Sequence, residues 1–414
     1  MKSRRVVVTG IGAITPIGTG SAGLWDGVRR GTSAVRRITR FDPSPYRSQV
    51  AAEISDFDPL TYLERRTAKR LDRFAQLGVV VARRAVEDAG LDLTGIDKTR
   101  VGVSIGSALG GVPCAEDCHT AFLHHGTQGI PATLAISVYG GASGANIAID
   151  LDLRGPNSAN AASCASGAIA IGTGFTSIKA GDADIVLAGG VEAPLAPLTF
   201  AAFSLIKAMS ARNDDPATAS RPFDAERDGF VMAEGAAVLV LEERNQALHR
   251  GARIYAELAG FGQSNDAYHM TAPRPDGSEA ARAVCLALRE ARIQASDVEY
   301  VNAHATGTPL GDAAETCALR RALGIQDSAP AISSTKGLYG HALGASGAIE
   351  AAITALALHH GFLPGTTNLV QREERCPLHL LPPEGCERRV DTALTTSFGF
   401  GGVNAALVLK RVSS

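Results

Sequence analysis

Four segments of this chain combine glycines with a nucleophile, an imidazole or an ammonium group. They are "AASCASG" around Cys164, "NAHATGTPLGDAAE" around His304, "SSTKGLYGHALGASG" with Lys336 and His341, and "SFGFGGVN" with Phe400. Each belongs to a predicted strand end, and open α/β sheets build their sites where strands end and helices start. One cysteine and two histidines on separate strand ends is the residue set of nucleophilic acyl transfer. Cys164 precedes "ASGAIAIGTGFTSIKAG", a helix pattern. A thiol there meets unpaired N–H groups and the positive end of the helix dipole, which favour the thiolate. The same N–H groups suit the oxyanion formed when a thiolate attacks a carbonyl. Taken alone, Cys164 fits a small buried structural cysteine as well. His304 lies beyond "VEYVNA", among Thr306, Gly307 and Thr308, a setting closer to a polar channel floor than to a core. Lys336 follows an apolar strand, where a lysine needs a partner. Asp312 or Glu315 can supply that charge and keep it protonated.

The elements that must position these groups recur in two series. Apolar strand runs occur at 4–10, 100–106, 183–190 and 236–243, then at 252–262, 298–307, 330–337 and along the C-terminal "ALTTSFGFGG" and "NAALVLKR". Helical patterns at 68–90, 277–292, 311–323 and 344–360 lie between them. This alternation predicts an α/β fold with a largely parallel sheet. Both series end in a Gly-rich turn and a paired strand, at 235–242 and 401–410, which predicts a duplicated unit with its seam near 250. A length of 414 residues agrees with two units.

The composition narrows the function classes. The chain is 45% hydrophobic and 20% charged, with 45 glycines, which is globular and rich in small residues. A net charge of -2 excludes nucleic acid or a membrane surface as an overall partner, so an acidic partner must meet a local basic patch. The N-terminal "MKSRRVVVTGIGAITPIG" is basic then apolar, but Gly10, Gly12 and Pro16 break the run and no cleavage pattern follows. No stretch approaches the roughly 20 apolar residues of a membrane span. Seven scattered cysteines make no disulfide framework, so a reducing cytoplasm is expected. "VTGIGAITPIGTG" imitates a dinucleotide loop, but its third glycine is out of register and Pro16 interrupts the helix. A structural turn is expected there. Cys114, Cys118, His119, His124 and His125 fit no zinc spacing, and no metal is expected.

The four segments, with "RRVVVTGIGAITPIG", "RPFDAERDGFVMAEGAAVLVLE" (221–242), "NDAYHMTAP" (265–273) and "FGFGGVN" (398–404), follow an order that spans the chain. In that order they resemble the elongating β-ketoacyl-[acyl-carrier-protein] synthases, Cys-His-His condensing enzymes of the thiolase superfamily. The nearest branch is synthase II and its polyketide relatives. The resemblance implies a thiolase-like fold, a duplicated five-layered αβαβα architecture. Its N-terminal half, 1–250, would carry the nucleophile and its C-terminal half, 251–414, the catalytic histidines.

The resemblance also implies residue roles. Cys164 would hold the acyl chain as a thioester. His304 and His341 would serve malonyl decarboxylation and hold the enolate oxygen. Lys336 would order the site through Asp312 and Glu315. The N–H groups of Cys164 and Phe400 would form the oxyanion hole, with Phe400 a gate on its glycine loop. Thr306 and Thr308 match positions that bind the phosphopantetheine arm, and Phe203, Leu109 and Phe398 match substrate-lining positions. No cofactor is bound in the family, whose substrates ride on the 4'-phosphopantetheine of acyl carrier protein. For that acidic partner the segment 64–73 offers Arg65, Arg66, Lys69 and Arg70, and Lys207 matches another docking position. Family members are dimers, so a homodimer, or a heterodimer with a chain-length factor, is expected.

Ser163 replaces the alanine usual before the nucleophile, Ala305 a residue after the first histidine, Tyr339 a small polar residue and Val403 a threonine of the gate loop. Ser163, Ala305 and Tyr339 are expected to reshape the acyl or malonyl pocket. Such departures resemble type II polyketide and polyene ketosynthases, the alternative to fatty-acid elongation. A thiolase would carry a second cysteine near the C-terminal glycine loop, an initiating synthase an asparagine at His341, and a chain-length factor no Cys164.

Overall fold

The computed structural model describes residues 4–325 and 330–412. Its main strands are β1 (Val6–Thr15), β2 (Val101–Gly106), β3 (Asn157–Asn160), β4 (Ile185–Glu192), β5 (Gly235–Glu243), β6 (Ala256–Asn265), β7 (Tyr300–Asn302), β8 (Ala331–Ser333), β9 (Thr392–Gly399) and β10 (Val403–Lys410). Along the sheet they run β8-β7-β9-β10-β6-β1-β5-β4-β2-β3. Outward from the β1–β6 junction, both halves use one order: first, fifth, fourth, second and third strand of the half. The junction is antiparallel and short, pairing Val6, Val7 and Val8 with Leu258, Glu257 and Ala256. Between the halves, β5 ends at Glu243, a short helix covers Arg244–His249, and β6 begins at Ala256.

The sheet is mixed, not largely parallel. In each half the second strand pairs in parallel with the third and the fourth, at β2/β3, β2/β4, β7/β8 and β7/β9. The fourth and fifth strands, β4/β5 and β9/β10, run antiparallel. Only the three-residue turn Phe400–Gly402 joins β9 to β10, and a link that short permits no crossover. Strand character reflects β-branched and aliphatic runs without polar alternation, and all ten residues of β1 are buried.

The main helices packed on the sheet are α1 (Arg73–Asp88), α2 (Ala142–Leu151), α3 (Ser166–Ala180), α4 (Ser278–Ala291), α5 (Pro309–Leu323) and α6 (Ser346–His360). The expected helix at 68–90 starts only at Arg73, whose N–H is capped by the Asp72 carboxylate at 2.6 Å. One apolar core lies between α1, α2 and the first half's strands, and another between α4, α5 and the second half's strands. The largest core surrounds α3 and α6, between the inner sheet faces. The result is five layers in αβαβα order.

The glycines of "VTGIGAITPIGTG" serve this layering. The expected turn falls at Pro16–Ile17, where β1 doubles back onto the antiparallel pair Gly18–Thr19. Gly10 and Gly12 lie inside β1, where a Cβ would meet Ala85 O at 2.2 Å and Val81 O at 1.9 Å. Gly260 and Gly262 of β6 stand in the same way against Ala287 O at 2.2 Å and Ala283 O at 2.1 Å of α4. The two halves also repeat the pentapeptide Ala-Ser-Gly-Ala-Ile, at 165–169 and 345–349, where α3 and α6 begin. There the helices touch through their glycines. A Cβ on Gly167 would lie 2.9 Å from Ala348 N, and one on Gly347 2.8 Å from Ala168 N. Larger side chains at such contacts cost about 1–3 kcal/mol through overpacking.

Candidate active site

The crossing of α3 and α6 sets the geometry of the site. Each helix is preceded by a turn of 3-10 helix, Ser163–Ala165 before α3 and Leu343–Ala345 before α6. In each turn the first residue has a positive φ, 51° at Ser163 and 40° at Leu343. Side chains rarely adopt that conformation, which costs of order 1–3 kcal/mol and persists only where neighbours impose it. Ser166 Oγ donates to Ser163 O at 2.7 Å and Asn160 Nδ2 donates to Ser166 O at 3.2 Å, holding the first turn. Cys164 therefore stands at the entry of α3, 7% exposed.

His341, just before the second turn, places Nε2 3.0 Å from Cys164 Sγ. Its Nδ1 lies 2.9 Å from the Ser346 hydroxyl. His304, beyond β7, meets it edge to face with ring centroids 5.3 Å apart. Behind His304 the fully buried Lys336 ammonium donates to His304 O at 2.6 Å and lies 3.4 Å from His304 Nδ1. An ammonium only donates, so Nδ1 accepts and the imidazole proton sits on Nε2. Burial and the Lys336 charge hold both imidazoles well below the usual histidine pKa, so they are neutral. Burial pushes the Cys164 thiol up, opposed by the Ser163 hydroxyl, the Lys336 charge and the Phe400 N–H.

The partner of Lys336 differs from the sequence expectation. Its ammonium is bonded to Glu350 of α6, not to Asp312 or Glu315. Glu350 is pushed up to about 8 by burial, with Lys336 pulling the other way. Removing either partner of such a buried pair costs about 3–5 kcal/mol, because the other charge is stranded. Asp312 and Glu315 instead fix backbone. Glu315 accepts from the N–H groups of His304 at 2.9 Å and Ala305 at 2.7 Å, and from Thr396 Oγ1 at 2.6 Å. Asp312 accepts from Phe223 N at 2.8 Å and Gly307 N at 3.1 Å and pairs with Arg227 Nε at 3.2 Å. Both carboxyls are pushed up by burial, to about 7 and about 6. They hold the His304 loop, whereas the true partner of Lys336 lies 14 residues on, inside the apolar helix α6.

A cavity of about 400 Å³ leads to these groups, lined by Cys164, His304, His341, Thr306, Thr308, Phe203, Phe398 and Phe400 among others. Thr308 Oγ1 also caps α5, accepting from Gly311 N at 3.2 Å. Phe400 stacks on Phe203 with centroids 6.4 Å apart, and φ values of 80° and 75° at Gly401 and Gly402 shape its loop. Leu109 does not line the cavity; it packs with Cys164, Phe200, Phe230 and Leu343 in one apolar cluster. Lys207 is exposed at the mouth, beside Ile206 and Leu310. Arg65, Arg66, Lys69 and Arg70 are exposed outside the cavity and form no ion pair among the described residues. Of the departures from the family pattern, Ala305 and Tyr339 are buried and do not line this cavity, and the Tyr339 hydroxyl bonds Thr335 at 3.1 Å. Among the described residues, no group of side chains is arranged to hold a metal ion. Cys114 and Cys118 sit on the helix Val112–His125 with free thiols.

Comparison with known proteins agrees with this geometry. Residues 3–247 match the family described as Beta-ketoacyl synthase, N-terminal domain, and residues 255–370 match Beta-ketoacyl synthase, C-terminal domain. The chain belongs to the beta-ketoacyl synthase family. It is 43% identical to the 3-oxoacyl-[acyl-carrier-protein] synthase 2 of Synechocystis sp., over 99% of both chains, and 43% identical to that of Coxiella burnetii over the whole of both. A solved ishigamide ketosynthase/chain length factor superposes with a TM-score of 0.93 at 34% identity, covering 99% of this chain and 100% of the other. A type II polyketide ketosynthase in complex with its acyl carrier protein gives 0.92 at 33% identity, covering both chains fully. Family membership makes the chain a condensing acyltransferase with a thiolase-like fold.

Neutral histidines are directly testable. Ring ¹⁵N shifts of His304 and His341 should stay in the neutral range from about pH 8 to pH 6, below the ordinary histidine value of about 6.5. An imidazolium signal from either ring at pH 6.5 or above would contradict the electrostatics described.

Proposed function

We propose that the chain is a decarboxylating β-ketoacyl-[acyl-carrier-protein] synthase with Cys164 as its nucleophile. The carrying observation is His341 Nε2 at 3.0 Å from Cys164 Sγ, with neutral His304 beside it. The Cys164 thiolate attacks the acyl thioester carbonyl, whose oxyanion takes the N–H groups of Cys164 and Phe400. The pantetheine sulfur leaves and takes a proton. A malonyl thioester then enters the cavity and loses carbon dioxide. The enolate oxygen that forms takes hydrogen bonds from the Nε2–H groups of the two neutral imidazoles. The enolate carbon attacks the Cys164 thioester and the sulfur leaves, completing the β-ketoacyl product. Lys336 contributes by anchoring His304 from behind. Phe400 opens or closes the route to Cys164 as its glycine loop moves. Thr306 and Thr308 bind the phosphopantetheine arm, while Phe203 and Phe398 contact the acyl chain and Leu109 backs the apolar cluster around Cys164.

Substrates arrive on acyl carrier protein. For this acidic partner the surface offers unpaired Arg65, Arg66, Lys69 and Arg70, together with Lys207 at the mouth. The halves 1–250 and 251–414 are read as copies of one unit. The chain works in the cytoplasm as a dimer. Strand β3 ends the sheet with one edge free of the main strands, and Phe122, Leu123, Ile136 and Ile149 on helices of this half, with Tyr139 in a bend between them, are exposed. The identity of 43% to 3-oxoacyl-[acyl-carrier-protein] synthase 2 relatives favours elongation, whereas the fit to polyketide ketosynthases supports work beside a chain-length factor.

Two experiments test this reading. Cys164→Gln should abolish condensation yet leave malonyl decarboxylation largely intact, since the histidines are untouched; retained condensation would sink the mechanism. Charge reversal at Arg66 and Lys69 to glutamate should raise KM for acyl-carrier protein several-fold and leave kcat near wild type. An unchanged KM would remove the docking proposal.

A further inference from the structure

Ser163 is the departure from the family pattern that touches the nucleophile. Its hydroxyl oxygen lies 3.7 Å from Cys164 Sγ, long for a contact between oxygens but within reach of the larger sulfur atom. That contact is its sole hydrogen-bond partner among the described residues. The neighbours dictate this placement. The positive φ of Ser163 turns the residue out of the preceding strand direction, and its carbonyl is tied to Ser166 Oγ at 2.7 Å. Its Cβ comes within 3.2 Å of the Cβ position of Gly399, so the gate loop closes the other side.

We infer that the Ser163 hydroxyl is a hydrogen-bond donor to the Cys164 sulfur, beside His341 Nε2, and that it favours the thiolate that accepts the acyl group. This rests on the reading of Cys164 as nucleophile. A donor to sulfur is stronger toward a thiolate than toward the thioester that replaces it. The hydroxyl therefore acts on acyl loading, and its bond relaxes once the chain is attached. Burial raises the thiol, so each donor offsets part of that cost. An alanine in this place offers no donor.

The test is the pH dependence of Cys164 alkylation by iodoacetamide, read by peptide mass spectrometry on the full chain. Ser163→Ala should move the inflection up by roughly half to one pH unit, slowing alkylation about three- to tenfold at pH 7. Ser163→Gly lacks the hydroxyl but relieves the positive φ, and it should show the same upward shift. An unmoved inflection in Ser163→Ala, or a wild-type inflection in Ser163→Gly, overturns the inference. Should wild-type Cys164 alkylate with this profile yet never take an acyl group, the proposed function fails while the donor assignment stands.

Discussion

The site depends on how closely two helices can approach. Helices α3 and α6 meet through Gly167 and Gly347, each with the other helix's backbone within 3 Å of where a Cβ would stand. The helices enter that contact through matching strained turns, so the residues just before them are carried to one point. Cys164 belongs to the first turn and His341 precedes the second. Their 3.0 Å separation is a consequence of backbone packing between the two halves. Interiors packed to this density do not deform gradually. A methyl group at the crossing would displace the reacting groups along with the helices.

Around this contact the electrostatics run in one direction. The ammonium at the centre, Lys336, is buried, paired with Glu350 and bonded to His304, and burial together with its charge keeps both imidazoles neutral. Neutral rings present N–H groups without charge, which suits an oxygen that becomes negative only during reaction. Glu315 and Asp312 have another task. They accept backbone N–H groups around His304 and hold the loop that carries it. The acids that follow His304 in sequence thus shape its loop, while the acid that pairs with the lysine comes from the central helix α6.

Much of this was legible in the sequence, and the exceptions have physical causes. Cys164, His304 and His341 could be singled out because their segments follow predicted strands and are rich in glycine. Lys336 was legible too, but Glu350 was hidden in the apolar helix α6, where nothing local marks it as a partner. Ser346 was missed for the same reason, although its hydroxyl meets His341 Nδ1 at 2.9 Å. Ala305 and Tyr339 adjoin His304 and His341 in the chain yet are packed in the interior, so sequence proximity overstated their reach. Strand direction was misjudged because apolar runs carry no signature of parallel or antiparallel pairing. The duplication was visible as an order of elements. Its sharpest trace, the repeated Ala-Ser-Gly-Ala-Ile, gains meaning only when the two copies are seen in contact.

The central claim is that acyl transfer runs through the sulfur at the head of α3. Incubating the full chain with acyl-carrier protein alone, without a malonyl donor, and mapping the adduct by mass spectrometry tests it most directly. One acyl group per chain on the peptide containing Cys164, discharged on addition of malonyl-carrier protein, is the predicted result. An acyl group on any other residue, or condensation with no acyl-enzyme formed, would contradict the account.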